Sequence, residues 1–177
     1  RPLIVRPPKL LCLGLNDIDH AEEGGFAVPE YPAVFARVAS SLIGHGDPML
    51  RPPESEQLDY EVELAVVIGR GGRRIPEARA LDHVAGYTVF NDGTIRNYQR
   101  KTPQWTLGKN WHGTGALGPE LVTPDELPPG AAGLELATHV GEARLQRGNT
   151  ARMVFSVAKT IEILSEVLVL EPGDVIA

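Results

Sequence analysis

The segment Asp59-Tyr60-Glu61-Val62-Glu63-Leu64-Ala65-Val66-Val67-Ile68 constrains the fold more than any other part of this chain. Its alternate positions Tyr60, Val62, Leu64, Val66 and Ile68 are all apolar, and the intervening set is Asp59, Glu61, Glu63, Ala65 and Val67. Side chains alternate across a strand, so this spacing predicts one strand over 59–68 with a wholly apolar face. The opposite face opens with three carboxylates and gives way to small apolar residues, which predicts its partial burial. Turn formers punctuate the rest of the chain. With 19 Gly and 15 Pro in 177 residues, many turns and a strand-rich fold are expected.

Lys9 to Leu15 reads as a buried strand, followed by a short helix that Asn16 or Asp17 can cap and Gly24-Gly25 can end. Val34 to Ile43 reads as extended and Pro76 to Val84 as a short helix with proline near its start. Gly86 to Asp92 is a second strand, ending in the turn signal Asn91-Asp92-Gly93. The stretch from Arg96 to Gly118 is polar, glycine-rich and aromatic, and suits a loop with its own packing. A hairpin is expected across Gly141-Glu142. After it, Asn149 or Thr150 caps a helix whose stripe is Val154, Val157, Ile161, Leu164 and Leu168. Val175-Ile176-Ala177 begins a further strand.

Charge and cysteine content narrow the function classes. Seventeen basic against 23 acidic side chains give a net charge of −6, which argues against nucleic acid or an anionic membrane as the main partner. The lone cysteine, Cys12, excludes an internal disulfide framework and a cysteine-based zinc site. No apolar run approaches the ~18 residues of a membrane span. The proline-rich start, Arg1 to Pro8, does not resemble a signal peptide and reads as an extension or linker, so a cytoplasmic location is expected.

Three groups of residues can carry chemistry. Glu61 and Glu63 lie two apart on a strand and project to one face, where buried like charges need a cation or a shared proton. Hard divalent cations take oxygen ligands of this kind, although a solvated strand face would also display such a pair. Asp92, at the end of the second strand, is placed to add a third oxygen or simply to form a turn before Gly93. His20 and Glu23 face each other at i and i+3 on a helix, as a general base held by a carboxylate or as a surface pair. Arg96, Gln99, Lys101 and Lys109 follow Asp92, and an arginine there can clamp a carboxylate substrate. Ser156-x-x-Lys159 lacks the partner motif of the serine enzymes that use it.

Taken in order, several segments resemble the fumarylacetoacetate hydrolase family. They are Gly14-Leu15-Asn16 with Asp19-His20-Ala21-Glu22-Glu23, Ser40-Ser41-Leu42-Ile43-Gly44, the whole of 59–69, and Ala85 to Asp92. Arg96 with Gln99, Gln104-Trp105 with Gly108-Lys109, and Leu170 to Ala177 complete the set. The resemblance covers nearly all of the chain from Leu11 and implies an α+β fold, a mixed β-sandwich roll with short peripheral helices. It implies a catalytic domain over 9–177, usually a homodimer, that binds Mg²⁺ or Mn²⁺, with Ca²⁺ a further candidate. By the family's pattern Glu61, Glu63 and Asp92 stand on metal-ligand positions, and His20 with Glu23 on the water-activating dyad. Arg96, Gln99 and Lys109 stand where the substrate's carboxylate and oxo groups are held, Lys109 also counting among the catalytic residues.

The chemistry this resemblance implies is C–C bond hydrolysis in a small 2-oxo or β-diketo acid, such as an acylpyruvate or an oxo-dicarboxylate. The alternatives are decarboxylation or oxo-diene isomerisation by a related enzyme, and a non-catalytic metal- and ligand-binding paralogue. The family's Thr-Gly-Thr-Pro segment would follow Ala177, so the expectation is a domain cut off before its last strands.

Overall fold

The computed structural model describes residues 1–17 and 28–177. Seven strands form one mixed sheet: β1 (Leu10–Gly14), β2 (Ala33–Arg37), β3 (Leu42–Gly44), β5 (Val62–Ile68), β6 (Val84–Asp92), β8 (Gly115–Leu117) and β11 (Val175–Ile176). Their order is β2-β1-β11-β5-β6-β8-β3. The pairs β1–β11 and β3–β8 are parallel and the others antiparallel. Two short ladders lie outside it, β4 (Leu58–Asp59) with β7 (Thr94–Ile95) and the hairpin β9 (Glu135–Val140) with β10 (Ala143–Asn149). The helices are α1 (Glu77–Ala80), α2 (Arg96–Gln99), α3 (Thr106–Lys109) and α4 (Val157–Val167). This is the expected α+β, strand-rich class.

The alternation in β1 and β5 builds a core on each face of the sheet. Leu11, Leu13, Val66 and Ile68 pack with Tyr87 and with Ile161 and Leu164 of α4. Leu10, Cys12, Ala65 and Val67 pack on the other face with Phe90, Leu117 and Val175. Each fully buried Leu, Ile or Phe here contributes about 1.5–3 kcal/mol of burial free energy. The sheet is therefore dry on both sides at the C-terminal end of β5, and its polar chemistry is confined to the other end.

The structure corrects three expectations from the sequence. Segment 59–68 is not one strand, because Tyr60 and Glu61 leave the ladder between β4 and β5. The pairing register is the same on both sides of the break, Val62 facing Asn91 and Asp59 facing Thr94. Side-chain oxygens serve the backbone amides at the break and beside it. The Glu61 amide donates to Asn91 Oδ1 at 3.1 Å and the Val62 amide to Gln146 Oε1 at 3.1 Å.

By the same token Asn91-Asp92-Gly93 is no hairpin turn but a kink in a strand that continues into Thr94–Ile95. Gly93 is needed there because a Cβ would lie 2.3 Å from the Thr114 carbonyl. Finally, the long helix is capped by Ser156, whose Oγ accepts from the Lys159 amide at 3.2 Å, while Asn149 caps only the 3₁₀ turn 150–152. The Val154 and Phe155 amides donate to Asn16, which keeps this segment extended and delays the helix start. Residues 18–23 of the predicted helix, His20 and Glu23 among them, lie outside the described residues.

Candidate metal and substrate site

The kink brings the acidic residues together. Glu61 and Asp92 stand opposite each other across the unbroken register, and the Asp92 amide donates to the Glu61 carbonyl at 2.8 Å. Directly opposed side chains on paired segments sit within about 5 Å of each other, so two carboxylates here need cations between them. Lys109 supplies one. Its Nζ lies 2.6 Å from Glu61 Oε2 and 2.5 Å from Asp92 Oδ2. Arg37 supplies another, its Nη1 lying 2.5 Å from the second Asp92 oxygen, Oδ1. Arg37, Asp92 and Lys109 are 4%, 2% and 2% exposed, so these pairs act with almost no water between them.

Helices α2 and α3 deliver the cations. Arg96 opens α2, pairs with Glu61 through Nη1 and with Asp59 through Nε at 2.7 Å. Its Nη1 also donates to Gln99 Oε1 at 3.0 Å. Gly108 lets α3 approach α2, because a Cβ there would lie 2.5 Å from the Gln99 backbone. The next residue, Lys109, then reaches across to Glu61 and Asp92, with its ammonium 4.9 Å from the centre of the Phe35 ring. Burial works against the charged form of Lys109, but Asp92 and Glu61 outweigh it and raise its pKa. Arg96 likewise is raised by Glu61 and Asp59 against the cost of burial.

Glu63 behaves differently. Among the described residues no cation pairs with it. Burial, and then the charges of Asp92 and Glu61, push its carboxyl well above the usual range. The predicted oxygen set is thus assembled in one place but not as a closed ligand cage. Among the described residues no three His, Cys, Asp or Glu side chains converge at metal-ligand spacing. The Lys109 ammonium lies between the two oxygens that face each other. The donor set nevertheless fits a hard divalent ion. It is all carboxylate oxygen, one Glu61 oxygen and one Asp92 oxygen already converge on a single positive centre, and Glu63 lies close enough to feel the charges of both.

Of the residues singled out from the sequence, Glu61, Asp92, Arg96, Gln99 and Lys109 meet in one hydrogen-bonded cluster, with Glu63 next to it. Lys101 does not join it; its ammonium lies 3.5 Å from the centre of the Tyr98 ring. Arg37 and Thr94 escaped the sequence reasoning. Thr94 Oγ1 lies 3.3 Å from Glu61 Oε1 and donates to the Asp92 carbonyl at 2.8 Å. Arg37 also reaches Ser41, Gly93 and Thr114, at 3.3, 3.1 and 2.8 Å. A signal existed for it, since Arg37 is the only charged residue between Tyr31 and Gly44. A charge in an otherwise apolar and small-residue segment is buried only when paired.

Residues 9–177 match the family described as Fumarylacetoacetate (FAA) hydrolase C-terminal, and the chain belongs to that family. A mitochondrial oxaloacetate tautomerase of Homo sapiens is 41% identical over 98% of this chain and 55% of its own length. A 5-carboxymethyl-2-hydroxymuconate delta-isomerase from Mycobacterium smegmatis superposes with a TM-score of 0.87 at 37% identity, covering 97% of this chain and 67% of that one. Fumarylpyruvate hydrolase from Pseudomonas aeruginosa, in complex with Mn²⁺ and pyruvate, gives 0.85 at 30% identity over 96% of this chain and 76% of that one. The chain therefore spans little more than half of its human relative, and the family it joins is enzymatic, with hydrolase, isomerase and tautomerase members.

Proposed function

We propose that this chain carries the site of a divalent-metal-dependent enzyme that hydrolyses a C–C bond in a small 2-oxo acid, of the acylpyruvate or oxo-dicarboxylate kind. The observation that supports this most is the convergence of Glu61 and Asp92 on one positive centre, with Glu63 crowded beside them and Arg96 and Gln99 at the rim. Glu61, Glu63 and Asp92 would hold Mg²⁺ or Mn²⁺. A divalent ion in that place supplies Lewis acidity toward the carboxylate and carbonyl oxygens of a 2-oxo acid, stabilising charge that develops on enolisation.

The chain's own residues do the rest. Arg96 is fixed by Asp59, Glu61 and Gln99 through Nε and Nη1, leaving Nη2 for a substrate carboxylate. Lys109 stays protonated beside two carboxylates and balances their charge when substrate anion arrives. His20, with Glu23 orienting it, takes the proton from the attacking water. The proposed assembly is a homodimer and the proposed location the cytoplasm; the human relative is mitochondrial. Among the described residues no helix is long and apolar enough to cross a membrane.

A second reading, keto–enol or double-bond isomerisation, is favoured by the identity to the human tautomerase, which is higher than that to the fumarylpyruvate hydrolase. Both readings share an enolate of the 2-oxo acid: proton removal forms it in isomerisation, whereas in hydrolysis water adds to the second carbonyl and cleavage of the C–C bond expels it. Product analysis with an acylpyruvate and Mn²⁺ separates them. Pyruvate plus a second acid is the expected result. A changed ultraviolet spectrum with no fragments gives the isomerase, and an untouched substrate panel gives a binding protein.

A further inference from the structure

The β9–β10 hairpin is exposed along most of its second strand: Ala143, Arg144, Leu145 and Arg147 all face solvent. Gln146 does not. The ladder slips between Arg144 and Gln146, a bulge that inserts a residue and re-aims the side chain that follows it. Thr138 donates to Gln146 Oε1 at 2.7 Å, and that oxygen also accepts from the Val62 amide at 3.1 Å. Val62 is the residue between Glu61 and Glu63. The backbone on its N-terminal side is out of the ladder, held by Asn91 Oδ1 on the Glu61 amide.

We propose that Gln146 is a positioning residue for the acidic cluster, fixing the Glu61–Glu63 backbone from a second layer so that both carboxylates address one cation. The proposal rests on the metal-site reading of these carboxylates. The reasoning is geometric. Val62 is paired with Asn91, but the Glu61–Asp92 bond beside it turns the Val62 amide away from β6, and the acceptor that meets it comes from an element 84 residues away in sequence. A bulge that aims one glutamine inward from an exposed strand is a feature of the fold with a local purpose, and the groups that orient metal ligands typically matter about 10–100-fold for affinity.

The test is Mn²⁺ titration of the metal-free intact protein by calorimetry, with no substrate present. Gln146→Met keeps the volume and removes the acceptor, and is expected to weaken Mn²⁺ binding about tenfold. Gln146→Asn keeps a polar amide but shortens its reach, and is expected to weaken binding about threefold on the same grounds. Gln146→Glu keeps an acceptor oxygen at the same reach and is expected to bind at least as well as the parent. Arg147→Ala removes the hairpin's exposed pair with Glu135 and is expected to leave affinity unchanged. Parent-like affinity in both Met and Asn variants overturns the proposal, as does an Arg147→Ala loss equal to theirs, which would mean that the hairpin matters only as a prop. Glu61→Gln run alongside separates the two levels. If it too binds Mn²⁺ like the parent, the metal-site reading fails first; if it alone loses binding, only the role of Gln146 does.

Discussion

The two ends of the segment 58–68 obey different rules. From Ala65 to Ile68 every side chain is buried, both sheet faces are covered, and the backbone is laddered to β6 on one side and β11 on the other. From Leu58 to Glu63 the residues are half-buried, the ladder lapses at Tyr60 and Glu61, and side-chain oxygens of Asn91 and Gln146 accept from the Glu61 and Val62 amides. One end is built for burial. The other gathers like charges that only a set of cations can hold. The contrast teaches that a strand can be anchored by burial at one end and by ion pairs with distant cations at the other.

The largest effect should come from the polar end. Glu61→Ala or Asp92→Ala is expected to abolish Mn²⁺ binding and turnover together; retained affinity in both would remove the distinction between the ends. At the apolar end, Ile68→Ala is expected to cost about 2–5 kcal/mol in denaturant unfolding while leaving Mn²⁺ affinity within roughly threefold. If affinity collapses as well, the two ends are one cooperative unit. Ser156→Ala, which uncaps the helix packed on Val66 and Ile68, should cost about 1 kcal/mol and leave the metal untouched.

The smallest effect concerns pH. Burial and like charge raise the Glu63 pKa in the folded state, so ionising it works against folding. Metal-free protein should therefore lose stability as pH rises from the model-peptide value of 4.5 toward the raised one. Glu63→Gln should flatten that slope in thermal melts across the window, and an unchanged slope would mean that the carboxyl is relieved by another group.

Much of this was legible in the residues. Period-two patterning located β5 and the helical stripe located α4, because burial on a sheet or beneath a helix imposes those periods, and a short apolar run located β1. The carboxylates and the polar cluster after Asp92 were legible because charged residues beside apolar strands call for partners. What was hidden was long-range. Nothing local to Tyr60 announces a break, since the side chains that meet the backbone beside it, Asn91 and Gln146, are 30 and 84 residues away in sequence. Asn91-Asp92-Gly93 has turn chemistry, yet a close approach elsewhere uses the glycine for a kink. Asn149 is a sound cap, but Asn16, 139 residues from Phe155, holds the following backbone extended. Arg37 is the strand residue its surroundings suggest, but its partner Asp92 lies 55 residues away in sequence.

The strand order carries a consequence for how the molecule comes into being. β11 lies between β1 and β5, so the first strand reaches the sheet's centre only through residues 175–176. On a ribosome β5, β6 and β8 can pair as they emerge, whereas the β1–β2 pair can join them only after nearly the whole of this sequence has appeared. Contacts of such long range close slowly and leave an edge open meanwhile. That open edge belongs to β5, so an assembly intermediate of this protein exposes the strand that leads into its acidic cluster.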